Sequence, residues 1–234
     1  GYEVLSELPK ERHVAPMLSL DKTKDVGALK SFLGDKEGVL SWKMDGLTNV
    51  LTYQNGELVK AVTRGNGEIG EVITNNARVF DNIPLAIPAK ERVVVRGEAV
   101  ISYEEFKRIN DTIEDIDAKY KNPRNLCSGT VRQLNNEITA QRHVRFYAFS
   151  LAEGGDRAGS QEPMQFHHQQ LEWLQAQGFE TVEYVKVQAG NIAAAVADFE
   201  KKVEAFSLPS DGLVLIFDDI EYGKSLGATA KFPR

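Results

Sequence analysis

Apolar residues recur along this chain with two periods, one typical of helices and one typical of strands. Spacings of three and four residues predict amphipathic helices, over residues 25–33, 163–177 and 192–206. Gly34 and Gly178 follow two of these segments, at the position where glycine commonly ends a helix. Ser102, followed by acidic residues, predicts the start of another helix that reaches about Asn110.

Short apolar runs bounded by turn residues predict the strands. Two strands are predicted within residues 39–64, joined at Asn55-Gly56, a dipeptide typical of tight hairpin turns. Continuous apolar runs predict further strands, over residues 92–101, 144–151 and 211–217. Because helices and strands alternate irregularly rather than in strand–helix–strand units, we expect an α+β fold and not a doubly wound sheet.

The composition is that of an ordinary globular protein and excludes several function classes. The 234 residues are 42% hydrophobic and 26% charged, enough apolar material for a sizeable core. A net charge of -6 gives no overall basic footprint for nucleic acid, so such contacts would need a local basic surface. The single cysteine, Cys127, excludes an internal disulfide, and no stretch has the character of a signal peptide or membrane span. Because the chain begins with Gly1 rather than methionine, we expect a fragment of a longer protein.

Lys43 and Asp45 stand two residues apart between two apolar runs, directly before Gly46. Residues two apart in a strand point to the same side, so this amine and this carboxylate would share one face. A lysine amine becomes a nucleophile only after losing its proton, which a neighbouring group must promote. The pattern fits a lysine nucleophile, but by itself it more often describes an edge-strand lysine before a turn.

A glycine-rich segment over residues 65–70 has the G-x-G-x-x-G spacing of dinucleotide-binding loops. That fingerprint requires a surrounding strand–helix–strand unit, whereas here the preceding strand belongs to the predicted hairpin. We therefore interpret the segment as a glycine-rich turn, with Arg64 directed at a phosphate or a carboxylate. Glu98, at the end of an apolar strand, is either one half of a surface ion pair or a carboxylate near Lys43 that serves a ribose hydroxyl or a metal.

Two arginines, Arg124 and Arg132, lie eight residues apart in a polar segment. Their guanidinium groups suit bidentate contacts with phosphates, and a solvated loop and helix is the alternative interpretation. Phe149 offers a ring for stacking on a base, although aromatic residues in strands more often belong to the core. His167-His168 lacks acidic or cysteine partners at ligand spacing, so we predict a surface pair and no metal site.

In order and spacing, these motifs together resemble the adenylation domain of bacterial NAD-dependent DNA ligases. The segments that carry the resemblance are Pro16 to Asp21, Lys43 to Gly46, Thr63 to Gly67, Gly70-Glu71, Val95 to Glu98, Asn122 to Asn125, Arg132 to Leu134, Ile138 to Ala140 and Asp211-Gly212. The resemblance implies the nucleotidyltransferase fold of DNA ligases and mRNA capping enzymes, with two antiparallel sheets around a nucleotide cleft and flanking helices. It also implies a single domain over residues 1–234.

The resemblance implies a role for each matching residue. Lys43 matches the lysine that attacks the α-phosphate of NAD, releasing nicotinamide mononucleotide and leaving a lysine-linked AMP before nick sealing in DNA. Asp45 matches a residue that orients this lysine and assists proton or metal handling. Arg64 and Glu98 match residues that hold the ribose and phosphate, and Phe149 matches an aromatic residue against the adenine. The nucleotide-binding positions implied in this way are Ser19, Leu20, Ser41, Gly46, Arg64, Glu98, Arg124, Arg132, Phe149 and Asp211.

The resemblance further implies NAD and Mg²⁺ as cofactors, although no residue of this chain is predicted as a dedicated metal ligand. It implies that the full-length protein binds nicked duplex DNA, with no membrane partner, as a cytoplasmic monomer. The family's N-terminal subdomain for the nicotinamide mononucleotide half and its C-terminal DNA-binding domains are expected to be missing from this fragment.

Two positions depart from the family pattern. Ile216 stands where the family has a lysine, and Ser41 stands where it has a glutamate. These departures motivate one alternative, a catalytically weakened paralogue that acts as an adenosine-nucleotide-binding module. An ATP-dependent polynucleotide ligase, which shares the lysine chemistry, is the other alternative.

Overall fold

The computed structural model describes residues 4–5, 17–19, 26–64, 70–156 and 162–226. The strands are β1 Val4–Leu5, β2 Met17–Ser19, β3 Gly38–Met44, β4 Leu47–Gln54, β5 Glu57–Arg64, β6 Gly70–Glu71, β7 Val93–Val100, β8 Arg145–Glu153, β9 Tyr184–Val187 and β10 Ser210–Phe217. The helices are α1 Val26–Leu33, α2 Thr74–Ala77, α3 Tyr103–Asp111, α4 Pro123–Val131, α5 Asn136–Gln141, α6 His167–Ala176, α7 Ile192–Lys202 and α8 Ile220–Leu226. Among these described helices, none combines the length and the apolar character needed to cross a bilayer.

Two four-stranded antiparallel sheets organise the chain. Sheet 1 has the strand order β2-β10-β3-β9, and sheet 2 has the order β5-β4-β7-β8. The short strands β1 and β6 pair with each other. The predicted α+β fold with two antiparallel sheets is confirmed.

The predicted hairpin is present, but the segment before it forms two strands rather than one. Asn55 and Gly56 have φ angles of 52° and 80°, as the Asn-Gly turn between β4 and β5 requires. The prediction of two strands over residues 39–64 was wrong, because β3 ends in sheet 1 and β4 begins in sheet 2. The chain changes sheets at Gly46, where an added Cβ would lie 2.0 Å from the carbonyl oxygen of Ala99. Only glycine allows so close an approach.

Two apolar clusters fill the structure, one on each sheet. The cluster on sheet 2 includes alternate residues of β4 and β7 and the buried side of α4. The cluster on sheet 1 includes Leu40, Trp42 and Met44 of β3, with side chains of α1 and α7 packed against them. Because side chains alternate along a strand, Ser41 and Lys43 project from the opposite face of β3, where both are half-buried. Packing of one face therefore determines what the other face presents.

The helix ends follow local signals where local signals exist. Ser102 caps α3 by accepting a hydrogen bond from the amide of Glu105 at 3.2 Å, as predicted. Gly34 and Gly178 have φ angles of 58° and 105° directly after α1 and shortly after α6. Helix α7 ends at Lys202, short of the predicted 206.

Helix α6 begins at His167 rather than at 163, because a residue distant in sequence caps it. The backbone oxygen and the carboxylate of Asp218 accept hydrogen bonds from the amides of His167 and His168, at 2.8 and 2.9 Å. The His168 ring also contacts the fully buried Asp218 carboxylate at 2.5 Å. Burial lowers the pKa of His167 to about 4. The prediction that this histidine pair lies on the surface was wrong.

Two buried asparagines differ sharply in their hydrogen bonding. Asn76 donates to the carbonyl oxygens of Val131 and Gln133, both at 2.7 Å, and accepts from the Thr139 hydroxyl at 2.9 Å. Asn49 on β4 is fully buried, yet neither its amide nitrogen nor its oxygen has a partner among the residues that the structure describes. An unpaired buried amide opposes folding, whereas a fully bonded one supports it.

We therefore expect Asn49→Leu, a change of similar volume, to raise the free energy of unfolding by about 1–3 kcal/mol. Urea unfolding of both proteins measures the change. Asn76→Leu is the matched control and should lower the stability, because it removes the amide donors of the Val131 and Gln133 carbonyl oxygens and one acceptor of the Thr139 hydroxyl. A loss of stability in Asn49→Leu would show that the amide has a partner in solution.

Candidate active site

Lys43 lies at the end of β3, next to the first residues of β10. Its Nζ atom is 3.4 Å from a carboxylate oxygen of Asp211, and the two side chains are 36% and 44% exposed. Ser210 fixes this strand end by donating a hydrogen bond from its hydroxyl to the Lys43 carbonyl oxygen at 2.8 Å. An ion pair this exposed contributes little to stability. Its effect is to hold the amine in one place.

Asp45 and Arg124 form the second charged pair of the site. A terminal nitrogen of Arg124, in the first turn of α4, lies 3.9 Å from the Asp45 carboxylate. The Asp45 amide donates to the Pro209 carbonyl oxygen at 2.9 Å, which joins this turn to the segment before β10. Among the described contacts, the carboxylate paired with Lys43 is therefore that of Asp211 and not that of Asp45.

Glu98 reaches the same region from sheet 2. Its carboxylate accepts hydrogen bonds from the Thr48 hydroxyl at 2.8 Å and from the Gly46 amide at 3.4 Å. The first bond follows from register, because Thr48 is paired with Glu98 on β7 and with Arg64 on β5. Arg64, Thr48 and Glu98 thus stand in one row across the sheet and on one face of it. The three residues are separated in sequence, so the sequence did not predict this row; strand pairing brings them together.

The Glu98 carboxyl is the most perturbed acid of the site. Burial raises its pKa to about 7, and the nearby carboxylates of Asp45 and Asp211 add to the rise. The hydrogen bonds from Thr48 and Gly46 act in the opposite direction, because they favour the charged form. Near neutral pH this carboxyl is therefore partly protonated.

The structure brings some of the remaining predicted residues near this group and leaves others outside it. Ser41 stands two residues before Lys43 on the same face of β3. Arg132 instead pairs with Glu71 at 3.1 Å and bonds to Ser128 at the end of α4. Its described contacts do not include the Lys43 region.

Three further predicted positions, Phe149, Ser19 and Leu20, lie on other strands or outside the described residues. Phe149 on β8 is half-buried and packs against the cluster of sheet 1. Ser19 is the last residue of β2, and its backbone is paired with Val214 of β10. Leu20 and the glycine-rich segment 65–69 lie outside the described residues. The predicted contact of Phe149 with the adenine and the predicted place of Ser19 and Leu20 in the nucleotide site stay predictions.

Sequence reasoning missed Thr48 and Ser210, which both hold site residues in place. Thr48 had a weak signal, since it is a polar residue near the start of an otherwise apolar strand. Ser210 had none, because its partner is a backbone carbonyl 167 residues away.

Chemically, the group combines an amine, carboxylates and a guanidinium at the junction of two sheets. A lysine beside a carboxylate and near an arginine suits attack on a phosphorus atom, with the cations stabilising the developing charge. Among the described residues, no three acidic, cysteine or histidine side chains converge as a metal site.

The raised pKa of Glu98 predicts a pH-dependent stability. Between about pH 4.5 and 7 the folded protein binds more protons at this site than the unfolded chain does, so the free energy of unfolding falls as the pH rises. Because the glutamine of Glu98→Gln does not ionise, the variant does not have this decrease in the free energy of unfolding. We expect the stability of the variant relative to the natural protein to increase between pH 5 and pH 8, by up to about 3 kcal/mol.

Denaturant unfolding at both pH values measures this difference. Thr48→Val is the control in the opposite direction, because it removes a hydrogen bond that favours the charged carboxylate. It should steepen the loss of stability with pH. A difference between Glu98→Gln and the natural protein that stays constant with pH would mean that Glu98 titrates as an ordinary glutamate.

Comparison with known proteins agrees with this chemistry. The model of the NAD-dependent DNA ligase adenylation domain matches residues 5–234. The DNA ligase of Ruminiclostridium cellulolyticum is 59% identical over 234 residues, which are 100% of this chain and 35% of that protein. The DNA ligase of Lachnoclostridium phytofermentans is 61% identical with the same coverage of both chains. An archaeal ATP-dependent RNA ligase structure covers 84% of this chain and 43% of its own, with a TM-score of 0.47 and 17% identity, too distant to bear on function.

The chain thus spans about a third of the length of these two curated relatives. The match of the family model extends over nearly every residue, and it includes the lysine, the carboxylates and the arginine described above. The chain belongs to the NAD-dependent DNA ligase adenylation domain family.

Proposed function

We propose that this chain is a single adenylation domain in which Lys43 takes AMP from NAD, ahead of nick sealing by the full-length protein. The observation that carries the proposal is the position of Lys43, held 3.4 Å from Asp211 at the junction of the sheets, while Arg124 and Glu98 contact Asp45 and Gly46, the residues that follow β3. In this step the bond from the lysine nitrogen to the α-phosphorus forms. The bond from that phosphorus to the oxygen of nicotinamide mononucleotide breaks, and the mononucleotide leaves.

The side chains around Lys43 have different roles in this step. The ammonium must lose a proton before attack, and the Asp211 carboxylate is the group within reach that accepts it. Arg124, 59% exposed, is free to turn from Asp45 toward the phosphates of the donor. Glu98 and Arg64 would hold the ribose and a phosphate, and their common row in sheet 2 supports this assignment.

The carboxylates near Lys43 suit a magnesium ion that is bound jointly by the protein and the substrate phosphates, rather than by protein ligands alone. Mg²⁺ is commonly bound through one or two carboxylates together with substrate phosphates, and Asp45 would hold it here once Arg124 turns toward the phosphates. When bound, the ion neutralises charge on the phosphates.

The proposed partners are NAD and, for the full-length protein, nicked duplex DNA. A monomer in the cytoplasm is the state we propose for it. Membership of an NAD-dependent family favours NAD over ATP as the donor. Ile216 and Ser41 keep one alternative, an adenosine-binding paralogue with weak turnover, and nick sealing by the full-length natural protein would contradict it.

Replacing Lys43 tests the identity of the nucleophile. After incubation of the full-length protein with NAD and Mg²⁺, we expect intact-mass spectrometry to show one AMP adduct, which Lys43→Ala abolishes. Lys30, exposed on α1, supplies the matched control, and Lys30→Ala should keep the adduct. An adduct that survives Lys43→Ala would assign the attack to another residue.

The two aspartates should differ in their effects. Because Asp211 is the carboxylate paired with Lys43, we expect Asp211→Asn to slow adduct formation by at least about 100-fold, as expected for loss of a general base. Asp45→Asn, which alters the pair with Arg124, should mainly raise the NAD concentration needed for half-maximal rate. Single-turnover rates over a range of NAD concentrations separate the two effects. The opposite assignment of effects would identify Asp45 as the residue that activates Lys43.

A further inference from the structure

The face of sheet 1 that carries Lys43 becomes neutral a short distance from the lysine. Strand pairing places Ser41 beside Val214 of β10, and the next row of the same face pairs Val39 with Ile216. Val214 and Ile216 are half-buried, and Val39 is only 3% exposed. Moving from Lys43 toward Val39, the face thus passes from charged groups to a hydroxyl and then to hydrocarbon.

This gradient orients a nucleotide, if the proposed function holds. A nucleotide has a charged phosphate end and a flat, largely apolar base. The phosphate matches the end of the face with Lys43, Asp211 and Arg124. The base therefore matches the neutral wall formed by Ser41, Val214 and Ile216.

Among the described side chains of β3 and β9 at this wall, the uncharged polar groups are hydroxyls. Ser41 contributes one, and Tyr184 of the edge strand β9, paired with Ser41, contributes another. A hydroxyl both donates and accepts hydrogen bonds, so it satisfies an amino group and a carbonyl oxygen equally well. Lys186 lies in the row of Val39 but is exposed to solvent at the sheet edge.

We propose that this domain recognises the shape of a purine and not the amino group of adenine, so that it also accepts a hypoxanthine donor. Binding sites that pair a specific hydrogen-bonding group reject the analogue that lacks it by about 10⁴-fold or more. Apolar walls discriminate between molecules of similar shape by only about 100-fold. The wall described here is neutral, and its hydroxyls both donate and accept hydrogen bonds. We therefore expect the weaker discrimination, of about 100-fold, between adenine and hypoxanthine.

The test compares NAD with nicotinamide hypoxanthine dinucleotide in the full-length natural protein. The same bonds form and break with either donor, and the adduct on Lys43 carries AMP or IMP. We expect the two values of kcat/KM for adduct formation to differ by less than about 100-fold. A preference for NAD above that value would show that a group of fixed polarity reads the amino group.

A similarly large preference for hypoxanthine would also contradict the inference, because it would place a donor-only cation such as Lys186 at the base. The absence of an adduct with both donors would contradict the proposed function itself. An adduct with NAD alone would contradict only the inference about the base. The two failures are therefore distinguishable.

A matched pair of variants at position 41 tests where the base lies. Ser41→Glu introduces a group that accepts but does not donate, so we expect it to shift the ratio at least about tenfold toward NAD. Ser41→Gln has nearly the same size but an amide that bonds either way, so its ratio should stay close to that of the natural protein. An unchanged ratio in Ser41→Glu would mean that the base does not contact Ser41.

Discussion

The close approach of the Gly46 backbone to the Ala99 carbonyl lets the chain cross from sheet 1 to sheet 2 at the site. A side chain at position 46 would overlap this oxygen, with its Cβ only 2.0 Å away. Because the chain can pass here, β3 ends in sheet 1 and β4 starts in sheet 2 within two residues. The same residue donates its amide to Glu98, which connects the turn to β7. A substitution at Gly46 would therefore disturb the position of Lys43 and the environment of Glu98 together.

The charged groups at this junction experience different surroundings, and this difference separates their roles. Lys43 and Asp211 are more than one-third exposed, so their pairing positions the amine without strongly stabilising the fold. Glu98 is more deeply buried, and its pKa lies near 7. A carboxyl that burial makes costly to ionise is stabilised in its charged form by any group that donates hydrogen bonds to it, as Thr48 and Gly46 do here.

Family membership explains why a lysine, an aspartate and an arginine meet here, and the wall beside them is where this chain differs from the pattern expected of that family. Ser41 and Ile216 lie diagonally across two paired strands, on the face that carries Lys43. Both expected charges are thus replaced by uncharged side chains in one small area. Neither replacement is a partner in the ion pair of Lys43 with Asp211, so this pair is present in the chain despite both departures.

The sequence by itself determined the features that depend on neighbours in the chain. The Asn55-Gly56 turn, the Ser102 cap and the alternation of Ser41 and Lys43 with the core residues of β3 all follow from backbone preferences and periodicity. Tertiary structure alone decided that β3 and β4 belong to different sheets, that Asp211 rather than Asp45 pairs with Lys43, and that Asp218 begins α6. The reason is physical: local preferences select backbone conformation, whereas contacts between distant residues depend on strand register and on which backbone segments can approach closely.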